Sequence, residues 1–283
     1  HYPQTPMIAA YGTQLLDWLQ RYTFPNELKF SDKEHARQVA RLFLQECLRN
    51  GITTSCVYCT VHPQSVDALF EEAEALGLRL AAGKVLMDRN APEALRDTAQ
   101  SGYDQSQALI DRWHGRGRLM YAITPRFGGT SSPEQLAAAG ALWRAHPDCL
   151  MQTHLSETPQ EVAWMKELFP DRRDYLDVYD HHGLCGRRAV FGHGIWLDDR
   201  ELQRLHDADA SIAHCPTSNF FLGSGAFDIA RALRADRPVR VGLGTDIGAG
   251  TSFSILATLG EAYKAAQLNR HALSAGHAFY LAT

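Results

Sequence analysis

The chain has 283 residues and a mass of 31.5 kDa, which is long for a typical domain but suits one (β/α)8 barrel of roughly 250 residues. Hydrophobic residues make up 45%, charged residues 21%, and the net charge is -4. This balance indicates a globular protein with a sizeable core, and the absence of a basic run excludes a nucleic-acid partner. No apolar stretch approaches the roughly 18 residues of a membrane span, so no membrane partner is expected either.

The six cysteines are scattered along the chain, mostly inside apolar runs. This usage predicts reduced thiols in a cytoplasmic protein rather than a disulfide framework. Cys56 and Cys59 have the spacing of a redox or metal motif, but they lie in one predicted strand, where their side chains point to opposite faces. We therefore assign this pair no metal or redox role.

Residues 1–30 contain three prolines and are predicted to be rich in loops, and a helix follows to about residue 50. From there, short apolar strands alternate with helices. The predicted strands are 52–60, 79–87, 119–124, 149–154, 189–192, 210–214 and 239–244. The helices that follow are 63–76, a longer stretch reaching 114, 132–145, 159–169 with 175–182, 198–207, 226–234 and 253–269. This alternation predicts an α/β fold with a parallel sheet and helices outside it.

Seven strands are one short of a (β/α)8 TIM barrel. The missing first strand would end just before His1. The chain has no initiator methionine and stops within a predicted helix. We therefore expect residues 1–283 to be a single barrel domain, truncated at both ends, from a longer protein.

Catalytic residues of such barrels lie at the C-terminal ends of the strands. The strand 149–154 ends in His154, and Glu157 follows just before a helix that starts at Pro159. A histidine in this position can ligate a metal, and a glutamate one short turn later can reach the metal's bound water as a proton shuttle. The alternative is a core histidine with satisfied hydrogen bonds and a first-turn helix charge.

The later strands also end in polar side chains, namely His193, His214 and Asp246. The glycines on either side of His193 are expected to leave room for a ligand near the backbone. Burying a charged aspartate costs several kcal/mol unless a cation or donors meet it. Histidines and a carboxylate on consecutive strand ends therefore predict a metal site.

The strand 119–124 leads into Arg126 and Phe127, a pair suited to clamp a planar ligand with adjacent acceptors, or alternatively an arginine stacked on a surface phenylalanine. His1 and Gln4 would follow the missing strand, although a disordered terminus is the alternative for His1. The remaining polar strand ends, His62, Lys84 and Asp88, are assigned solvated or structural roles.

These motifs resemble the amidohydrolase superfamily, of the mononuclear aminohydrolase type. The matching segments are H-L-S-E at 154–157, G-H-G at 192–194, H-C-P-T-S-N at 214–219 and G-L-G-T-D at 242–246. Within the superfamily, Gln4 and T-P-R-F at 124–127 resemble the guanine deaminase family. The similarity extends over essentially the whole chain.

The resemblance implies one Zn²⁺ ion, with iron as an alternative, held by His1, His154 and Asp246. His1 would be the second member of a His-x-His pair whose first member precedes the chain. The resemblance also implies a small β-sandwich domain outside these residues and a homodimer.

The implied reaction is hydrolysis of guanine to xanthine and ammonia. Zinc would lower the pKa of its water, Asp246 and His193 would orient that water towards C2, and Glu157 would protonate ring N3 and then the leaving amine. Gln4, Arg126 and Phe127, together with His154 and Glu157, would bind the purine. Arg126 would discriminate guanine from adenine by roughly 1 to 3 kcal/mol.

Two groups of alternatives remain. A related aminohydrolase would act on 8-oxoguanine, adenosine-like nucleosides or s-triazines, and a catalytically inactive barrel would serve as a binding module. The role of His214 stays open between supporting the site and stabilising the fold. The cytidine-deaminase type is excluded because its Pro-Cys-x-x-Cys signature is absent.

Overall fold

The computed structural model describes residues 1–283. Its centre is a curled parallel sheet in which neighbouring strands follow the order β1-β2-β4-β5-β6-β7-β8, and the short β3 extends β2 and pairs with β4. The strands are β1 Thr54–Tyr58, β2 Arg79–Gly83, β3 Val85–Leu86, β4 Leu119–Pro125, β5 Leu150–Leu155, β6 Ala189–His193, β7 Ser211–His214 and β8 Arg240–Leu243. All seven predicted strands are present, which confirms the α/β barrel fold. The sheet is open between β1 and β8.

Helices connect successive strands and cover the outer face of the sheet. They are α1 Leu15–Trp18, α2 Phe24–Glu27, α3 Lys33–Arg49, α4 Pro63–Ala75, α5 Ala99–Trp113, α6 Pro133–Ala145, α7 Pro159–Leu168, α8 Tyr175–His181, α9 Asp199–Asp207, α10 Pro216–Phe221, α11 Ile229–Ala232, α12 Ile255–Leu268 and α13 Ala275–Ala282. The main buried core lies between these helices and the sheet. None of the helices combines the length and the apolar character needed to cross a membrane.

Local sequence explains where the helices near the strand ends begin. Thr158 caps α7 and Asp198 caps α9, in each case with a glutamate three residues later that returns the hydrogen bond, Glu161 and Glu201 respectively. Such a capping box satisfies two backbone N–H groups that a helix otherwise leaves unpaired. The helices therefore start immediately after the strands and hold the loops between them short.

The N-terminal segment, residues 1–31, differs from its prediction. Instead of loops it consists mainly of short helical turns: 3-10 helices at Tyr2–Met7 and Leu28–Ser31, a π turn at Leu19–Thr23, and α1 and α2. Its prolines Pro3 and Pro25 lie in first turns, where the missing N–H of proline is no loss. Two of the three prolines that indicated loops therefore mark helix starts, and the third, Pro6, lies inside the first 3-10 helix.

Two further boundaries were predicted incorrectly. The long helical stretch before residue 114 divides into a 3-10 turn at Glu93–Leu95 and α5, because Thr98 caps a new helix. The predicted helix 226–234 shrinks to α11, and the sequence prediction missed α10, which begins at Pro216. The effect of α10 on the site is considerable, because it carries Asn219.

The strand register brings the polar strand ends to one rim. His154 of β5 pairs with Gly192 of β6, and Leu155 pairs with His193. On the next pair of strands, His214 is opposite Leu243. Because parallel strands share one direction, the residues that follow each strand meet at the same edge of the barrel.

Candidate active site

His1, His154 and Asp246 converge at this rim. The Nε2 atoms of the two histidines are 3.0 Å apart, and His1 Nε2 is 3.9 Å from Asp246 Oδ1. The three ligand atoms lie within 4.8 Å of one another. His1 is buried and stacks on Tyr58 with ring centroids 4.4 Å apart. The alternative of a disordered terminus for His1 is therefore wrong.

The protonation states of these side chains suit a divalent ion. His154 Nδ1 donates to the main-chain oxygen of Arg126 at 2.7 Å, which leaves the Nε2 lone pair facing His1. Burial, followed by the nearby His193, lowers the pKa of His154 to about 3. His1 Nδ1 is buried without a hydrogen-bond partner. Imidazole nitrogens and a carboxylate are ligands that zinc and iron accept, so these residues fit the implied ion.

Asp246 remains a carboxylate in this setting. Burial by itself would raise its pKa, but the nearby His193 favours the ionised form and the pKa is lowered. Asp246 has φ 48° and His193 has φ 69°, both in the left-handed region that non-glycine residues rarely occupy. Such strain is typical of functional sites.

His193 lies between two carboxylates. Its Nε2 is 3.4 Å from Glu157 Oε2 and 3.9 Å from Asp246 Oδ2, while its Nδ1 donates to Asn219 Oδ1 at 2.9 Å. Burial would lower the pKa of His193, but Glu157 and Asp246 raise it above the ordinary value. The asparagine fixes which nitrogen faces the two carboxylates.

Glu157 has the properties of a proton shuttle. Burial raises the pKa of its carboxyl to about 7, with a further repulsive contribution from Glu161, although His193 opposes the shift. Ser224 Oγ donates to Glu157 Oε1 at 2.9 Å. A carboxyl with a pKa near neutrality can both give and take a proton at the working pH of most enzymes.

The same residues line a cavity that contains about 430 Å³ of empty space, including the part that is open to solvent. Gln4, Arg126 and Phe127 form part of its wall. Gln4 Oε1 already accepts from the backbone N–H of Gly248 at 3.1 Å. A Cβ atom at position 248 would lie 2.7 Å from the main-chain oxygen of Gln4, so this close approach needs glycine. The free end of Gln4 is therefore its amide donor group.

Two residues lie next to the site without forming part of the cavity wall. His214 is buried against Phe227, with ring centroids 4.8 Å apart, and burial lowers its pKa to about 3. It does not line the cavity. At Gly192, a Cβ atom would meet the ring of His154 at 3.7 Å. We expected the glycines beside His193 to leave room for a ligand. At Gly192 that room lies next to the His154 ring.

The other polar strand ends lie outside the cavity. Lys84 is fully buried and forms an ion pair with Asp97. Asp88 accepts from the backbone N–H of Ser132 at 2.7 Å. His62 is partly buried and precedes α4 without capping it. These contacts fit the structural roles that we expected.

Glu161, Asn219 and Glu27 are among the residues of the site that were missed at the sequence level. Glu161 Oε2 accepts from the backbone N–H of Glu157 at 2.8 Å, and Tyr175 donates its hydroxyl hydrogen to Oε1 at 2.7 Å. Asn219 lies within the H-C-P-T-S-N motif. The motif was recognised in the sequence, but no role was assigned to this asparagine. Glu27, the third, contacts Arg126 from a segment predicted to be loop, and no sequence feature indicated this.

The pattern that defines the amidohydrolase family matches residues 1–283. The chain therefore belongs to the amidohydrolase family. Guanine deaminase of Escherichia coli (strain K12) is 56% identical to it over 283 residues, covering 100% of this chain and 64% of the relative.

Solved structures of guanine deaminases are also similar to this chain. The E. coli guanine deaminase structure superposes with a TM-score of 0.98 at 55% identity, covering 100% of this chain and 65% of that one. A guanine deaminase from C. acetobutylicum with guanine bound in its active site has a TM-score of 0.96 at 30% identity, covering 100% of this chain and 69% of that one. The chain thus spans slightly less than two thirds of the length of its E. coli relative.

Proposed function

We propose that the protein containing this chain deaminates guanine by hydrolysis, giving xanthine and ammonia. One observation carries the proposal: a single cavity is lined by a metal-ligand set, by a carboxyl with a pKa near neutrality, and by the donor side chains of Arg126 and Gln4. The guanine deaminase relatives support it, and one of them has guanine bound in its active site.

In this proposal His1, His154 and Asp246 hold a divalent ion, zinc or iron. When bound, the ion supplies an acidified water as nucleophile for C2 of the purine. The buried Nδ1 of His1 and the fixed tautomer of His154 support this ligand set. Asp246 combines the role of ligand with that of acceptor for a hydrogen of the attacking water.

The proton transfers fall to Glu157 and His193. Glu157 donates a proton to ring N3 as C2 is attacked, and it then carries one proton of the attacking water to the amino group, which leaves as ammonia. The second proton of the water passes through Asp246 to Glu157 when the C2=O bond of xanthine forms, and this restores the protonated carboxyl. The Glu157 pKa of about 7 means that the protonated form is available for the first step and the ionised form for the second. His193 holds the water by hydrogen bonding, with its own orientation set by Asn219.

Recognition of the purine rests on Arg126, Gln4 and Phe127. Guanine presents O6 and N7 as adjacent acceptors, which match two donors of a guanidinium group. Gln4 donates to O6 through its amide nitrogen, which donates to no protein group, while its oxygen accepts from Gly248. Phe127, packed near Trp164 with ring centroids 6.0 Å apart, offers a face for stacking. His154 and Glu157 complete the wall of the cavity.

Further parts of the proposal concern the whole protein. The open sheet between β1 and β8 and the partial coverage of the relatives support a barrel domain within a longer chain. The six cysteines are free thiols, which supports a cytoplasmic location. The homodimer implied by the resemblance is carried over as a proposal, and sedimentation of the full-length protein tests it.

Ammonia release from a panel of substrates tests the proposed reaction. The full-length protein is assayed with guanine, 8-oxoguanine, adenosine and an s-triazine, and xanthine is followed separately. Guanine should be preferred by at least about a hundredfold in kcat/KM. A higher value for another substrate would assign a different aminohydrolase activity. No ammonia from any of them, with the metal present, would favour a binding module.

A further inference from the structure

Arg126, the residue proposed to recognise the purine, forms a buried ion pair with Glu27. Arg126 Nη1 donates to both carboxylate oxygens of Glu27, at 3.0 and 2.8 Å. The Arg126 side chain is 2% exposed and the Glu27 side chain 0% exposed. A buried guanidinium without an anionic partner would be strongly destabilising, so the carboxylate makes it possible to place this cation in the cavity wall.

The pairing uses one nitrogen of the Arg126 guanidinium group and leaves the other two without a protein acceptor. Nη1 is occupied by Glu27, whereas Nε and Nη2 donate to no protein group. Arg126 lines the cavity together with Gln4 and Phe127. The two donors without a protein acceptor are adjacent on one edge of the planar group and match two adjacent acceptors on a ligand. The ion pair therefore determines which edge of the arginine is available.

The position of Glu27 is itself fixed by packing. Glu27 is the last residue of α2, and Phe24 on the same helix lies 5.7 Å from the Arg126 guanidinium carbon, measured to its ring centroid. Asn26 donates its side-chain amide hydrogen to the main-chain oxygen of Pro3, next to Gln4. The N-terminal segment thus delivers Glu27 to one side of Arg126 and Gln4 to the same cavity.

We infer that Glu27 is a positioning residue that sets the substrate selectivity of the site through Arg126, by making the site prefer purines with an acceptor at position 6. This inference rests on the proposed guanine deamination. Glu27 does not contact the reacting atoms. Its charge keeps the guanidinium in place, and its occupation of Nη1 directs the Nε and Nη2 donors towards O6 and N7.

The test compares the full-length enzyme with its Glu27→Gln variant. Two quantities are measured: the steady-state constants for guanine, and the inhibition constant of 2-aminopurine, which keeps the ring and the 2-amino group but lacks O6. We expect kcat/KM for guanine to fall roughly 10- to 100-fold, mainly through KM. The inhibition constant of 2-aminopurine should change by no more than about threefold, since that ligand keeps only N7 of the two acceptors that Arg126 is proposed to contact.

Two controls separate positioning from simple loss of stability. Asp97→Asn removes the acid of another buried ion pair, with Lys84, and neither residue lines the cavity. It should lower kcat for guanine through the fraction of folded protein, and it should leave KM for guanine and the inhibition constant of 2-aminopurine unchanged. In an Arg126→Met background, Glu27→Gln should have less than about a twofold further effect on guanine, because its target is gone.

The outcomes distinguish the inference from the proposed function. An unaltered enzyme that releases no ammonia from guanine would overturn both. An active enzyme in which Glu27→Gln weakens guanine and 2-aminopurine to the same extent, or leaves kcat/KM for guanine unchanged, would overturn only the role of Glu27.

Discussion

The two sides of the candidate site are built in different ways. The strand-end side, which carries His154, His193 and Asp246, consists of residues at or just beyond the ends of parallel strands that are held by the sheet register. The N-terminal side, which carries His1, Gln4 and Glu27, consists of short helical turns with no strand beneath them. Its side chains reach the cavity only because aromatic residues anchor the segment.

This difference suggests a division of labour. The strand ends supply the proposed chemistry, where small displacements are costly, and the sheet holds them rigidly. The N-terminal segment supplies one proposed metal ligand and much of the proposed purine recognition, and it contacts the barrel through side chains such as those of Tyr2 and Glu27. Five experiments can break or sharpen this division, and they follow from the largest expected effect to the smallest.

Removal of the metal tests both sides of the site at once, because the proposed ligand His1 belongs to one side and His154 and Asp246 belong to the other. Treatment of the full-length enzyme with a chelator should reduce guanine turnover to background, and Zn²⁺ or Fe²⁺ should restore it. Hydrogen exchange should increase chiefly in residues 1–31, since the sheet register does not depend on the ion. Equal loosening of the strand ends would contradict the division.

Glu157→Gln tests the strand-end side alone. The amide keeps the shape of the side chain but cannot shuttle a proton, so kcat should fall about 10²- to 10⁴-fold. Metal content, measured by elemental analysis, should match that of the unaltered enzyme, because Glu157 is not among the proposed ligands. Near-normal kcat would refute the proton-shuttle role.

Arg126→Ala tests the residue at which the two sides meet. The truncation removes the purine contact and leaves Glu27 buried without a partner, so kcat/KM for guanine should fall about 10- to 100-fold and stability by about 3 to 5 kcal/mol. The main-chain oxygen that holds His154 remains, and zinc content should be retained. Loss of zinc in proportion to activity would reassign Arg126 to the metal site.

Gln4→Ala tests the N-terminal side alone. Losing one donor to the purine should raise KM for guanine about tenfold with little change in kcat, since Gln4 does not contact the proposed proton shuttle. Steady-state kinetics with guanine provide the readout. A fall in kcat with unchanged KM would mean that Gln4 acts in the chemical step, and it would contradict the division between the two sides.

Glu201 provides the smallest effect and lies outside both sides. Burial raises the pKa of its carboxyl to about 7, although it accepts backbone hydrogen bonds from Asp198 and Leu176. A raised pKa in the folded state means that its stabilising contribution is present below about pH 4.5 and is lost as the pH rises through 7. Urea unfolding at pH 5 and pH 8 should show that Glu201→Gln removes about 1 to 3 kcal/mol of this pH dependence. An unchanged difference would show that other groups cause it.

The residues of the strand-end side could be predicted from the sequence, because a local pattern identifies the end of a buried strand. An apolar run of strand length followed by a polar residue can be recognised in the chain, and a parallel barrel brings all such residues to one rim. His154, Glu157, His193 and Asp246 were identified in this way. His214 satisfied the same pattern, yet its side chain packs against Phe227 outside the cavity, because local periodicity does not determine which way the last residue of a strand points.

The N-terminal side was less predictable because its cause is not local. Prolines and polar residues predicted loops, while burial of Tyr2, Trp18, Phe24 and Phe30 stabilises helical turns that are too short to form alone. The partnership of Glu27 with Arg126 joins positions 99 residues apart, and no periodicity encodes such a pair.

The amino-acid sequence by itself determined the barrel, the order of its strands and the types of residue at its rim, since hydrophobic patterning specifies secondary structure and its buried face. Only the tertiary structure decided which of those residues share a cavity, which nitrogen of each histidine faces it, and which carboxyl has a pKa near neutrality. These properties depend on distances, hydrogen-bond partners and burial, and each of them arises only when segments far apart in the chain are packed together.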